Sequence, residues 1–155
     1  MPKHVSKEMR RFNYLLGEID AVYHEVSLKL GLSDSAMKIM YAICDAGEEC
    51  LLQEICFYTG LSKQTVNSAI RKLEEEGILY LEPFNAKSKK VFLTEKGKGL
   101  AEKTAYRILQ AENDIFATWE KKDVEAYLDL TEKYLLCMKE KAKKLGNEAI
   151  EKQRE

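Results

Sequence analysis

The chain has 155 residues, of which 33% are charged and 45% hydrophobic, and its formal net charge is -1. These values are typical of one globular domain, and they exclude a protein that coats nucleic acid through overall positive charge. No apolar run approaches the roughly 18 residues of a membrane span, and the N-terminus lacks the apolar segment of a signal peptide. We therefore expect a cytosolic protein.

Helical patterns occupy the first part of the chain. Apolar residues recur every three or four positions over residues 5–30, which predicts one long helix. Ser33 is the N-cap candidate of a second helix, and Gly47 ends it. A third, short helix is expected over residues 51–60.

Residues 61–79 read LSKQTVNSAIRKLEEEGIL. Ser62 before the periodic run and Gly77 after it are start and stop signals for a helix. The apolar face of this helix carries Val66, Ala69, Ile70 and Leu73. The opposite face is polar. Because only a tight turn at Gly60 separates this helix from the preceding one, the two predict a helix-turn-helix.

After Gly77 the pattern changes from the period of a helix to that of strands. The stretches ILYLEPF and KVFLT are short and rich in β-branched, aromatic and aliphatic residues, and a polar NAKSK segment separates them. We predict a β-hairpin, with Pro83 placing the first strand at a sheet edge or ending it. A helix-turn-helix followed by a hairpin is a winged helix.

The C-terminal part is again helical. Thr94 is the N-cap candidate of a helix that we expect to run to a break near residues 120–122. A last helix with a seam of apolar residues in steps of four and three follows as far as Leu145. The polar residues 147–155 are expected to fray.

The predicted fold is mainly α with a small β-hairpin wing. In this single chain a winged helix-turn-helix lobe over residues 33–98 is flanked by long helices over residues 5–30 and 100–146. The apolar stripes of these terminal helices exceed what a small winged core would cover, so we expect a two-fold homodimer to bury them. Packing within one chain is the alternative, because the same steps suit the helices of a bundle.

The polar face of the helix after Gly60 is suited to DNA. An α-helix fits the major groove, where Gln64 matches adenine and Arg71 matches guanine or a phosphate. The helical candidates for DNA contact are Ser62, Lys63, Gln64, Thr65, Asn67, Ser68, Arg71 and Lys72. The alternative is an ordinary solvated face of an amphipathic helix.

The hairpin concentrates positive charge. Between Pro83 and Lys98 the basic residues are Lys87, Lys89, Lys90, Lys96 and Lys98. Glu95 is the single acid, so five minus one gives a local charge of +4, which a phosphate backbone would favour. The hairpin candidates for DNA contact are Asn85, Lys87, Ser88, Lys89 and Lys90. A solvated loop is the alternative.

Neither the cysteines nor the histidines suggest a reactive site. The four cysteines form no CxxC pair, and we expect Cys44, Cys56 and Cys137 to fill the core and Cys50 to be the most exposed. Thiol sensing remains an alternative. With two histidines and no phosphate-binding glycine loop, we expect no enzyme, no cofactor and no metal site.

In this order and spacing the motifs resemble the MarR (multiple antibiotic resistance regulator) family of bacterial transcription factors, over nearly the whole chain. The resemblance rests on LSKQTVNSAIRKLEEEGIL, on the hairpin that ends in VFLTEKG, and on the long terminal helices. Leu93, Thr94 and Gly97 match the LTxxG that follows the wing in the family. The resemblance implies a homodimer that binds a pseudo-palindromic operator in double-stranded DNA, usually as a repressor, and that a small ligand or an oxidant often releases.

The resemblance also implies a wing motif, a cysteine site in one branch of the family, and an effector site, and this chain departs from the first two. Where the family often has Asp-x-Arg in the wing, this chain has Asn85, Ala86 and Lys87, which implies weaker binding by the wing. The peroxide-sensing branch places a cysteine near the start of the first helix, and this chain has none there. Family ligands commonly bind between the dimer helices and the DNA-binding lobe, and the candidates there are Phe12, Tyr14, Tyr23, His24, Tyr41 and Trp119.

One alternative function remains open. A winged helix can serve as a protein–protein contact module without specific DNA binding, and the acidic run Glu74, Glu75 and Glu76 with the near-neutral net charge favours that reading. Salt-dependent DNA binding distinguishes the two hypotheses.

Overall fold

The structure is a computed structural model that describes residues 3–154, and these residues form two compact units. The first unit extends to Gln110 and the second begins at Ala111. The lobe predicted over residues 33–98 lies within the first unit.

Three helices open the first unit. Helix α1 spans Lys7–Lys29, α2 spans Asp34–Asp45 and α3 spans Leu52–Thr59. The hydroxyls of Ser6 and Ser33 cap α1 and α2 by accepting a hydrogen bond from the backbone N–H three residues further on. The predicted helices and the N-cap at Ser33 are confirmed.

Helix α4 spans Lys63–Glu75 and forms a helix-turn-helix with α3. Gly60, at a φ of 65°, makes the turn between the two helices. Ser62 caps α4, and Gly77, at a φ of 72°, follows its end, both as predicted. Local signals were sufficient for this helix because both of its ends are encoded within the segment.

A small antiparallel sheet completes the winged lobe. Strand β1 spans Glu49–Leu51, β2 spans Leu79–Asn85 and β3 spans Ser88–Leu93, in the order β1-β3-β2. The β2–β3 hairpin confirms the predicted wing. Strand β1 was not predicted, because it has three residues and depends on pairing with β3, as when Cys50 pairs with Val91.

The helix that begins after Thr94 is interrupted. Helix α5 spans Glu95–Lys103 and α6 spans Ala105–Thr118. Between them Thr104 has a φ of -130° and a ψ of -88°, and its hydroxyl donates to the Leu100 carbonyl at 2.7 Å. The expectation of one continuous helix to residues 120–122 was wrong, because a buried threonine whose hydroxyl bonds the carbonyl four residues earlier is not a recognisable break in sequence.

Helix α7 spans Lys121–Arg154 and is longer than expected. Residues 147–155 were expected to fray, but the helix continues as far as Arg154, and Glu155 lies outside the described residues. No proline interrupts it, and Lys152 and Arg154 near its C-terminus interact favourably with the helix dipole.

The core of the first unit lies beneath the helix-turn-helix and the sheet. Its fully buried larger side chains are Ile39, Met40, Ile43, Ile55, Val66, Leu79 and Val91. Cys44 is buried and Cys56 half-buried, as expected of core fillers. The expectations for the other two cysteines were wrong: Cys50 is buried because β1 places it against the core, and Cys137 is exposed on α7.

Two further findings concern the part of the chain from residue 3 to residue 154. No helix in it is both long and apolar enough to cross a lipid bilayer. Within the same residues, no three His, Cys, Asp or Glu side chains lie close enough together to hold a metal ion.

Candidate nucleic-acid interface

Helix α4 presents two different faces. Val66, Ile70 and Leu73 are buried in the core, and this fixes the rotation of the helix about its axis. The opposite face is therefore solvent-exposed. All eight helical candidates are exposed: Ser62, Lys63, Gln64, Thr65, Asn67, Ser68, Arg71 and Lys72.

The N-terminus of α4 is favourable for an anion. The Ser62 hydroxyl accepts from the Thr65 N–H at 3.1 Å and lies 2.8 Å from the Thr65 hydroxyl, so both side chains take part in the cap. The first turn contains no acidic residue, and Lys63 is exposed there. The positive end of the helix dipole is thus not neutralised by a carboxylate of its own first turn.

An open groove of about 410 Å³ runs between the start of α2 and the outer face of α4. All but one of its lining residues carry a polar group on the side chain, and they are Ser33, Ser35, Gln64, Thr65, Ser68, Ala69 and Lys72. The sequence analysis did not include Ser33 or Ser35, because no local pattern shows that the start of α2 lies beside α4. The N-cap signal at Ser33 was the one available indication.

The tip of the wing is a tight turn that the Asn85 side chain holds. The Asn85 carboxamide oxygen accepts from the backbone N–H groups of Lys87 and Ser88, at 2.9 Å each. Such a turn is typical of asparagine and aspartate. The Ser88 hydroxyl is buried and has no hydrogen-bond partner among the described residues, so this candidate is not presented to solvent.

The five lysines of the wing region differ in their surroundings. Lys90 Nζ lies 2.7 Å from the Glu49 carboxylate, and Lys96 Nζ donates to the Glu76 carbonyl at 2.7 Å. Lys98 contacts the carboxylates of Glu95 and Glu48. The negative charge of Glu95, and to a smaller extent that of Glu48, raises the pKa of Lys98.

The other two lysines stand at the wing tip. Lys87 and Lys89 are exposed and form no ion pair within residues 3–154. Carboxylates offset the charges of Lys90 and Lys98 in part, and a backbone carbonyl holds the ammonium of Lys96. The positive charge available to a phosphate backbone is therefore greatest at Lys87 and Lys89.

The six candidate effector contacts are placed differently from one another. Along α1, Phe12 is half-buried, whereas Tyr14 and Tyr23 are exposed. His24 Nδ1 lies 2.7 Å from the Asp34 carboxylate, which connects α1 to the first turn of α2. None of the six lines the groove beside α4.

Two of these candidates belong to aromatic contacts. On α2, Tyr41 lies with its ring centroid 6.2 Å from that of Tyr58. In the second unit, Trp119 packs edge to face with Phe116 and Tyr127, with ring centroids 5.4 and 5.6 Å away.

Comparison with known proteins finds a family model that matches part of this chain. Residues 30–86 match the model of the MarR family. The matched segment begins before α2 and ends in the wing, so it contains the helix-turn-helix and the exposed face of α4. No curated protein matches the chain.

Solved structures share the fold over most of the chain. A MarR family regulator from Neisseria meningitidis is 19% identical with a TM-score of 0.68, covering 84% of this chain and 97% of that one. A MarR family transcriptional regulator from Streptomyces coelicolor, in complex with DNA, is 14% identical with a TM-score of 0.64, covering 84% and 87%. Bordetella bronchiseptica BpsR, whose DNA binding is regulated by 6-hydroxynicotinic acid, is 20% identical with a TM-score of 0.59, covering 79% and 97%.

The winged helix-turn-helix, the exposed polar face of its second helix and the match over residues 30–86 agree with one another. The segment that holds the helix-turn-helix is similar to the MarR family, and the chain shares the fold of solved MarR family structures.

Proposed function

We propose that the protein is a homodimeric, sequence-specific DNA-binding regulator that places α4 in the major groove and the wing tip against the neighbouring backbone. The observation that carries the proposal is the exposed polar face of α4, whose orientation is fixed by the burial of Val66, Ile70 and Leu73. Since these three side chains hold the helix, Gln64 and Arg71 reach outward from a rigid support. A helix of this kind fits the major groove.

Different residues would read bases and hold phosphates. Gln64 and Arg71 carry the amide and guanidinium groups that pair with adenine and guanine edges. The groove beside α4 adds Ser35 and Lys72, which are suited to the sugar-phosphate backbone. At the wing, Lys87 and Lys89 supply the charge for phosphates or a narrow minor groove.

The homodimer rests on apolar surface that a single chain leaves exposed. On α1 Leu16, Ile19 and Tyr23 are exposed, and no residue of α7 is buried. The seam of α7 repeats in steps of four and three through Val124, Leu128, Thr131, Leu135, Met138, Ala142 and Leu145. Contiguous apolar stripes of this length mark a surface that associates, and a second copy of the chain would cover them.

Repression that a small molecule relieves belongs to the same proposal. Its support is the BpsR structure, a relative whose DNA binding 6-hydroxynicotinic acid regulates. In this chain the candidate contacts are Phe12, Tyr14, Tyr23, His24, Tyr41 and Trp119. A screen of aromatic carboxylic acids for release of bound DNA would test this part, and we expect substitution of a true contact to abolish the response while leaving DNA affinity intact.

Selection from random DNA tests the central proposal. The purified protein would be mixed with a pool of random duplexes, and the bound molecules would be amplified and sequenced over several rounds. We expect enrichment of an inverted repeat, because a two-fold dimer places two copies of α4 on two half-sites. Enrichment of a single half-site would contradict the dimer. No enriched sequence would contradict specific DNA binding and favour the protein-contact function.

A further inference from the structure

The residues between α4 and β2 are held by the start of α5. Helix α4 ends at Glu75 and β2 begins at Leu79, so residues 76–78 are the direct connection between the recognition helix and the wing. All three carbonyl groups of this connection accept hydrogen bonds from Thr94 or Lys96. Within the connection itself, the Ile78 N–H donates to the Leu73 carbonyl at 2.9 Å, so the bonds from Thr94 and Lys96 add a second attachment from outside α4 and β2.

Thr94 makes most of these bonds. Its hydroxyl donates to the Gly77 carbonyl at 2.6 Å, with the Ile78 carbonyl 3.1 Å away, and its backbone N–H donates to the Ile78 carbonyl at 3.0 Å. The same hydroxyl oxygen accepts from the Gly97 N–H at 3.0 Å and thereby caps α5. One side chain thus joins the connection to the first turn of α5.

Lys96 and Gly97 complete the contact. Lys96 Nζ donates to the Glu76 carbonyl at 2.7 Å. Gly97 is buried, and a Cβ atom at this position would lie 1.9 Å from the Ile78 carbonyl oxygen and 3.4 Å from Leu93 Cβ. Only glycine therefore allows α5 to approach the connection so closely, which gives the LTxxG pattern of the sequence a physical reason.

Thr94 also fixes the end of the second strand of the wing. Strand β3 ends at Leu93, and Thr94 follows it directly. Both strands of the wing and the end of α4 therefore meet at Thr94. The hydrophobic contacts beneath α4, made by Val66, Ile70 and Leu73, do not involve the Thr94 hydroxyl or the Lys96 ammonium.

We propose that Thr94, Lys96 and Gly97 act as a clamp on the carbonyls of residues 76–78 that sets the angle between α4 and the wing. The inference rests on the proposed DNA binding, since its consequence is that both elements reach their grooves at once. A pre-set angle reduces the ordering that binding would otherwise require. Thr94, Lys96 and Gly97 are positioning residues, because their bonds are made within the protein.

A double-mutant cycle on DNA tests the clamp. Thr94→Val removes the hydroxyl at nearly constant shape, and Thr94→Ser is the matched control that keeps it. The DNA affinity of each variant would be measured in two backgrounds, one with the native wing tip and one that also carries Lys87→Ala and Lys89→Ala. The temperature would be one at which melting curves show every variant folded. We expect Thr94→Val to weaken specific binding roughly tenfold with the native tip, the order expected for lost hydrogen bonds, and less than about twofold without it. Equal losses in both backgrounds would overturn the clamp.

A measurement without DNA separates the clamp from the proposed function. Residual dipolar couplings of backbone amides report whether α4 and the β2–β3 hairpin share one orientation. We expect one alignment tensor to fit both elements in the native protein and in Thr94→Ser, and to fail in Thr94→Val. If one tensor still fits Thr94→Val, the clamp is overturned. If the native protein binds no DNA, the proposed function fails, and the couplings still decide the clamp.

Discussion

The ammonium group of Lys90 lies 2.7 Å from the carboxylate of Glu49, an ion pair that joins β3 to β1 across the small sheet. Lys90 Nζ also lies 5.6 Å from the centroid of the Phe92 ring. Lys87 and Lys89, on the same hairpin, are exposed at its tip. The positive charge of the wing therefore divides into a lysine held within the sheet and two that are available to DNA.

We expect the tip lysines to dominate the salt dependence of DNA binding. Replacing Lys87 and Lys89 with alanine should lower the magnitude of the slope of log affinity against log salt by about 1.8 for each subunit, and so by about 3.6 for the proposed dimer, since each phosphate contact contributes about 0.9. Replacing Lys90 with Met and Glu49 with Gln together keeps the net charge and should leave the slope unchanged. Fluorescence anisotropy over a salt series measures both, and an equal fall in the two slopes would show that Lys90 is also a phosphate contact.

The role of Asn85 follows from its two hydrogen bonds to the turn. Asn85→Ala removes both and should lower the free energy of unfolding by on the order of 1 kcal/mol, because the acceptor for the Lys87 and Ser88 N–H groups is lost. Asn85→Asp keeps an acceptor there, so we expect it to preserve stability. It should nevertheless weaken DNA binding, because it adds a negative charge beside Lys87.

Denaturant unfolding of these two variants measures the contribution of the Asn85 hydrogen bonds to the stability of the turn. DNA titration of the same variants measures the effect of a negative charge beside Lys87. The family resemblance attributed weaker binding to Asn85 and Lys87 standing where the family often has aspartate and arginine; with lysine kept at position 87, we expect the added charge of Asn85→Asp to weaken binding instead of restoring it. If both substitutions destabilised the protein equally, the carboxamide would not be the group that holds the turn.

The proposed dimer predicts opposite behaviour for two neighbouring leucines. Leu135 lies in the seam of α7, whereas Leu136 is about 100° further around the helix, and both are exposed in the single chain. Leu135→Glu should weaken association by about 3 kcal/mol, or about a hundredfold in the dissociation constant, because a charge would enter an apolar interface. Leu136→Glu is the matched control and should remain dimeric. Sedimentation equilibrium decides, and a monomeric Leu136→Glu with a dimeric Leu135→Glu would place the interface on another face.

The buried thiols predict a loss of stability in alkali. Burial raises the pKa of Cys44 and of Cys50 from 9.0 to about 11. Between these values the unfolded chain loses the thiol protons while the folded protein keeps them, so the free energy of unfolding should fall as the pH rises from 9 to 11. It should be unaffected by these thiols below pH 9.

Denaturant titrations across this range, repeated with Cys44→Ala and Cys50→Ala together, measure the effect. We expect the double variant to show a shallower fall. An identical fall in both proteins would mean that other groups cause it. At pH 8, iodoacetamide should modify the exposed Cys137 before either buried thiol.

The elements predicted correctly are those whose ends and periodicity lie within one stretch of sequence. Helix α4 is an example, because Ser62, Gly77 and the apolar spacing between them are all local signals. The sequence could not reveal β1, because its pairing partner is about forty residues away in β3. The burial of Cys50 was missed for the same reason.

The charge of the wing shows the same limit. Counting lysines located a basic segment, but it could not show that Lys90 pairs with Glu49 of β1 or that Lys98 pairs with Glu48, the residue before that strand. Similarly, Ser35 reaches the groove beside α4 only through the packing of α2 against α4. Local patterns indicate which residues are suited to DNA, and tertiary contacts decide which of them are available.

Binding of the native protein and of Arg71→Ala to the DNA upstream of its own gene, and to a scrambled duplex, tests the central claim most directly. At physiological salt we expect the native protein to prefer the upstream duplex by about a thousandfold or more. Arg71→Ala should lose about 1 to 3 kcal/mol on that duplex and much less on the scrambled one, because the guanidinium reads a base edge. Equal affinity of the native protein for both duplexes, or equal losses on both, would contradict sequence reading by α4.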